Sequence, residues 1–195
     1  MHRRFLALGL LLGLAACGTT EASLPYSPAT PPVAQPGAAS VVVMGTVVDE
    51  REDGREDPRW IGTVRGGFGN PIKRLDAPEP VSEVVRKAFA DALRARGLLA
   101  AGTSSRFRLD VRILDLQANQ LARREGVASF RISLVNAAGR TVLSDQAEAR
   151  RMTGSFFSAA GVFGSVDELQ MVAQQAMSEA IDKLLDRPAF AAALR

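Results

Sequence analysis

Cysteine and histidine are nearly missing from this 195-residue sequence, which holds one of each, Cys17 and His2. Both lie in the first 17 residues, so the rest of the chain offers no thiol, no disulfide and no imidazole. That excludes Ser-His-Asp and Cys-His nucleophile systems there, and zinc held by histidine or cysteine. A strong charge of one sign is also missing. The 24 basic residues face 21 acidic ones, and without Arg3 and Arg4 the balance is 22 to 21. A charge that close to neutral gives no support to a nucleic-acid partner. After residue 16 no apolar run approaches the ~18 residues that would mark a membrane-spanning helix.

What is present begins with Arg3-Arg4, followed by twelve apolar or small residues from Phe5 to Ala16. That length falls within the roughly 7–15 residues of a signal-peptide core and short of the ~20 needed to cross a bilayer. The run closes on Leu14-Ala15-Ala16-Cys17, which resembles the lipobox of bacterial lipoproteins. Residues 1–16 are therefore expected to be a removed signal peptide, with Cys17 acylated and serving as the sole membrane anchor. The alternative is an ordinary secretory signal with a cysteine nearby by coincidence. Gly18 follows the cysteine, and the Asp that often signals inner-membrane retention is absent. The expected location is the periplasmic leaflet of the outer membrane. Two or more acyl chains, at ~0.8 kcal/mol per buried methylene, would make a lasting anchor.

Residues 17–40 hold the lipidated cysteine and a stretch with five of the ten prolines and few large apolar side chains. This composition predicts a disordered tether. Residues 41–195 are expected to form one folded domain. Val41 to Val48 reads as a strand, central because it does not alternate. DEREDGRED at 49–57 reads as a solvated acidic loop, and Trp60–Arg65 and Ile72–Leu75 as short strands. Val81, Val84, Val85, Ala88, Phe89, Ala92 and Leu93 keep the rhythm of a helix with one buried face, started by Pro80 and ended at Gly97. Glu83 and Lys87 are spaced to pair on its outer side. Phe107–Ile113 and Ser129–Leu134 alternate as half-buried strands, and Arg140–Arg151 should return antiparallel after the turn at Gly139. Ser165 and Glu168 form a capping box for a last helix that Pro188 stops. The predicted fold is α+β: a two-layer sandwich with an antiparallel or mixed sheet of about four to five strands and two helices on one face.

Several segments invite chemical readings. The acidic run at 49–57 could offer oxygens to Ca²⁺, but its spacing is not that of an EF-hand loop and Arg51 and Arg55 interrupt it. Gly66-Gly67-Phe68-Gly69 lacks both the Lys-Ser/Thr of a phosphate loop and the spacing of a dinucleotide fingerprint. Arg108, Arg112 and Arg131 fall on the open face of the sheet. They could meet an anionic headgroup or glycan, or form an ordinary solvated face. Phe156, Phe157 and Phe163 sit among Gly, Ser and Ala in the stretch 153–164. They read either as rings tucked beneath the last helix or as a partner-contact loop. No catalytic residue, cofactor or metal site is expected.

The lipobox, the first strand entering Asp49-Glu50-Arg51, the helix end Ala95-Arg96-Gly97-Leu98, the strand Leu109-Asp110-Val111-Arg112-Ile113 and the meander turning at Gly139 together resemble the YajG-like family of bacterial outer-membrane lipoproteins. The run DEREDGRED and the segment Pro58–Pro71 depart from that layout. The resemblance carries over no catalytic residue. It implies a non-enzymatic adaptor or accessory module for an envelope protein partner. The alternatives are an auxiliary subunit of an envelope transport system and a lipid- or glycan-binding module.

Overall fold

The computed structural model describes residues 19–32, 40–65, 68–102, 105–120, 123–153 and 166–195. Seven strands form one mixed sheet: β1 Thr19–Glu21, β2 Val42–Asp49, β3 Trp60–Arg65, β4 Pro71–Asp76, β5 Phe107–Gln120, β6 Arg124–Asn136 and β7 Thr141–Thr153. Four helices accompany them: α1 Glu52–Glu56, α2 Val81–Ala95, α3 Val166–Leu185 and α4 Pro188–Ala193. The α+β class and the β5–β6–β7 meander agree with expectation. The counts of strands and helices exceed it.

The sheet runs β1-β4-β3-β5-β6-β7, and β5 changes partners along one edge. Its first half pairs in parallel with β2, from Phe107 to Ile113, and its end pairs in parallel with β3, from Ala118 to Gln120. β2 is thus an outer strand, not a central one. Val42, Val43 and Val47 are buried, with α2 packed against the strand, while Val48 is 41% exposed. Gly62 permits the β3–β5 approach, since a Cβ there would stand 1.8 Å from the Ala118 carbonyl oxygen.

Both long helices lie on one face. Phe89 of α2 meets Phe130 of β6 edge-on, with ring centroids 5.5 Å apart. Leu109, Val111, Ile113, Ile132 and Leu134 from the sheet join Leu169, Val172, Met177, Ile181 and Leu184 of α3 in the same core. The end of α2 is a Schellman motif. Gly97 takes φ +71°, its N–H bonds the Arg94 carbonyl, and Leu98 N–H reaches the Leu93 carbonyl at 2.9 Å. Lys87 pairs with Glu79 and Arg86 with Glu83, in place of the expected Glu83–Lys87 pair. Pro188 ends one helix and, as the first residue of α4, begins another that buries Phe190. The predicted cap Ser165 lies outside the described residues.

The expected tether needs correction over its first part. Thr19–Glu21 pairs in parallel with Arg74–Asp76 of β4, and Ala22 and Leu24 are buried in the core. Ser27 N–H bonds Ser178 Oγ on α3 at 3.0 Å. Prolines did not prevent docking here because the segment needs only a three-residue ladder and two small apolar anchors. The acidic run is also not a plain loop: it contains α1 and a buried arginine, Arg51.

Candidate functional site

Among the described residues, the open face of the meander is where predicted site residues come together. Arg108 and Arg112 alternate on β5, and Arg131 of β6 stands directly opposite Arg112 in the ladder. α2 and α3 occupy the other face, so the Arg108 and Arg112 side chains remain more than half exposed. Two like charges facing across a strand pair repel. The structure offsets this locally: Arg112 pairs with Glu50, Arg108 holds Asp110 at 3.1 Å, and Arg131 donates to Gln146. Asp110 also accepts the Thr46 N–H, in a pocket of backbone kept open by Gly45. The three arginines thus share a face but form a balanced polar surface with much of their charge countered.

The same face becomes more enclosed toward the end of β5. A bulge between Ile113 and Asp115 restores the inward setting of Leu116, leaving Asp115, Gln117 and Asn119 outward in a row. Asn119 Nδ2 donates to Gln117 Oε1 at 2.7 Å, and Gln117 Nε2 donates to Asp115 Oδ2 at 3.1 Å. With Glu125, Val127 and Arg150 they line a depression of about 170 Å³. Burial raises the Asp115 pKa above its ordinary value, although the Gln117 hydrogen bond and the nearby Arg51 charge act the other way.

Two charged clusters escaped the reading of the sequence. Arg51 sits in the fork where β5 leaves β2 for β3. Its Nη1 donates to the Leu116 carbonyl at 2.8 Å and the Trp60 carbonyl at 2.9 Å, while Nε and Nη2 clasp Asp49. It supplies the donors that a continuous neighbouring strand would have given. Arg96, 1% exposed, joins the ends of α2 and α3 to the N-terminal segment. It bonds Asp186 and Asp182, each at 2.8 Å, together with the Tyr26 hydroxyl and the Ala92 carbonyl. Burial opposes the Arg96 charge, but these partners hold its pKa above the usual guanidinium value. Burial, reinforced by the hydrogen bond to Asp182, pushes Tyr26 up to about 12. Both clusters are structural clasps. Charge runs and a lone tyrosine carry no spacing that would have revealed them.

Cys17, Phe156, Phe157 and Phe163 lie outside the described residues. Among the described residues no three metal-ligating side chains converge, and no helix is long and apolar enough to cross a membrane.

No protein-family model matches this chain, and no curated relative matches it. Solved structures do resemble it. A Xanthomonas campestris protein described by the family model DUF330 superposes with a TM-score of 0.57 at 14% identity, covering 86% of this chain and 92% of that one. The PelC dodecamer of Paraburkholderia phytofirmans gives 0.43 at 14% identity, over 78% and 93% of the two chains. A minor lipoprotein from Acinetobacter baumannii gives 0.41 at 8% identity, over 77% and 93%. The first likeness shows a shared fold. The other two are too distant to carry an argument.

Proposed function

We propose that this chain is a non-enzymatic lipoprotein of the bacterial envelope, anchored through acylated Cys17 in the periplasmic leaflet of the outer membrane. The observation that carries this reading is Leu14-Ala15-Ala16-Cys17 at the close of a twelve-residue apolar run behind two arginines. The absence of imidazole and thiol after residue 17 supports a role without catalysis. So does the resemblance of its layout to YajG-like lipoproteins. The module works by contact, offering an envelope protein either the meander face around Arg108, Arg112 and Arg131 or the stretch carrying Phe156, Phe157 and Phe163.

The test is metabolic labelling with an alkyne-tagged fatty acid. The native chain should be processed and labelled, and Cys17→Ala should be neither. Labelling of the Cys17→Ala chain would refute the anchor. Crosslinking in intact envelopes then reads the partner, and recovery of a permease would make the chain an auxiliary subunit of a transport system.

A further inference from the structure

Cys17 precedes Thr19 by two residues, and Thr19 opens β1. Two trans peptide units span at most ~7.6 Å between Cα atoms, so the anchor cannot lie far from the start of this strand. β1 runs parallel to β4, with Thr19 level with Arg74. The anchored end of β1 and the start of β4 at Pro71 therefore point the same way, toward the tip of the β3–β4 hairpin.

That tip has an unusual surface. Phe68 is 102% exposed and Ile72 49% exposed, two of the few large apolar side chains that the described residues leave in water. From Pro58 to Leu75 the sequence has Arg59, Arg65, Lys73 and Arg74 and no acidic residue. Arg59 is paired with Glu21, and Arg74 with Asp57 and Asp76. Arg65 donates to the Gly69 carbonyl at 3.3 Å, and neither Arg65 nor Lys73 is in an ion pair among the described residues.

We infer that the β3–β4 hairpin tip docks on the bilayer that holds Cys17, with Phe68 and Ile72 entering the interface and Arg65 and Lys73 meeting anionic phospholipid headgroups. An exposed aromatic ring suits the boundary between headgroups and acyl chains, and flanking cations suit its negative surface potential. The anchor supplies the proximity and the hairpin fixes the orientation. The sheet then stands on the end that holds the hairpin tip, where Val64 is level with Gln120, and the turn at Gly139, at the opposite end of the meander, faces away from the lipid.

This inference rests on acylation of Cys17, so the two must be measured separately on one preparation. The full chain is purified from membranes, and the acylated peptide is identified by mass. The protein is then placed in phosphatidylcholine–phosphatidylglycerol vesicles with brominated acyl chains. Trp60 is the only tryptophan and opens β3, its Cα roughly 16 Å from that of Arg65 at 3.3 Å per residue and its indole Nε1 donating to Thr63 Oγ1. Phe68→Trp should add emission that the bromines quench, whereas Trp60 in the parent chain should be quenched little. Adding Arg65→Glu and Lys73→Glu to Phe68→Trp should reduce the quenching and leave acylation intact. An acylated Phe68→Trp chain whose added emission is not quenched overturns the docking, even if the tip then crosslinks to a protein, and spares the anchor. Absence of the acyl group removes the anchor and the docking together.

Discussion

Arg51 shows how a single side chain can substitute for missing backbone. Between Ile113, where β2 stops pairing, and Ala118, where β3 starts, the Leu116 carbonyl has no ladder donor on that edge. The guanidinium fills this gap and also reaches the Trp60 carbonyl. Arg51→Met should therefore remove the guanidinium from two carbonyls and leave Asp49 with only the residue 51 backbone N–H. An orphaned buried acceptor costs about 1–3 kcal/mol, so a loss of about 3 kcal/mol is expected in urea unfolding. Arg51→Lys should recover only part of this, because an ammonium cannot present a planar fork. A loss below about 0.5 kcal/mol for the methionine variant would place Arg51 outside the fork, within the range of ordinary surface substitutions. Asp115 gives a second residue-scale prediction. Its raised pKa means that, between the unfolded and folded values, the native state binds more protons. Stability therefore falls as pH rises through that window, and the full cost persists above it. Asp115→Asn should flatten this dependence and be the more stable form at pH 7, as read from thermal melts at pH 3 to 7.

At the scale of elements, legibility followed periodicity. α2 and α3 keep an apolar stripe, and β5 and β6 alternate, so their existence could be read from residues such as Val84, Ala88, Leu109 and Phe130. β2 misled because its valines run together in the sequence, although the strand is an outer one and leaves Val48 exposed. β1 could not be read at all, since Thr19-Thr20-Glu21 has no pattern of its own and becomes a strand only beside Arg74–Asp76. Arg51 was hidden for a similar reason, because a charge run reads as solvated whatever its partners. Glycine positions were equally silent without neighbours. Gly62 and Gly126 are required by close approach and not by φ: a Cβ at Gly126 would stand 2.4 Å from the Val172 carbonyl oxygen of α3. At Gly62 the obstacle is the paired strand itself. Gly62→Ala should force β3 from β5 and lower stability by about 3 kcal/mol, near the upper end for overpacking. Gly139→Ala faces open space at φ +76° and should lose only about 1 kcal/mol. Equal urea midpoints for the Gly62→Ala and parent chains would contradict the β3–β5 pairing.

For the whole molecule, the docking of residues 19–27 matters most, because it would hold the module close to the anchor proposed at Cys17. Tyr26 is the only tyrosine in the sequence, so absorbance near 295 nm titrates this one group. In a free tether it would ionise near pH 10, the ordinary phenol value. Docked beside Arg96 and Asp182, it is pushed up to about 12, first by burial and then by its hydrogen bond to Asp182. A raised folded pKa contributes stability that is full below the unfolded value, near pH 10. That contribution is lost as pH rises through the folded one. The parent chain should therefore weaken steeply between pH 10 and pH 12, and Tyr26→Phe should show a shallower decline over the same window. Arg96→Met should return the tyrosine midpoint toward 10 if the segment detaches when its clasp is removed. A parent midpoint near pH 10 would show that the segment is not docked, and the proposed oriented seat of the module on a membrane would fall with it.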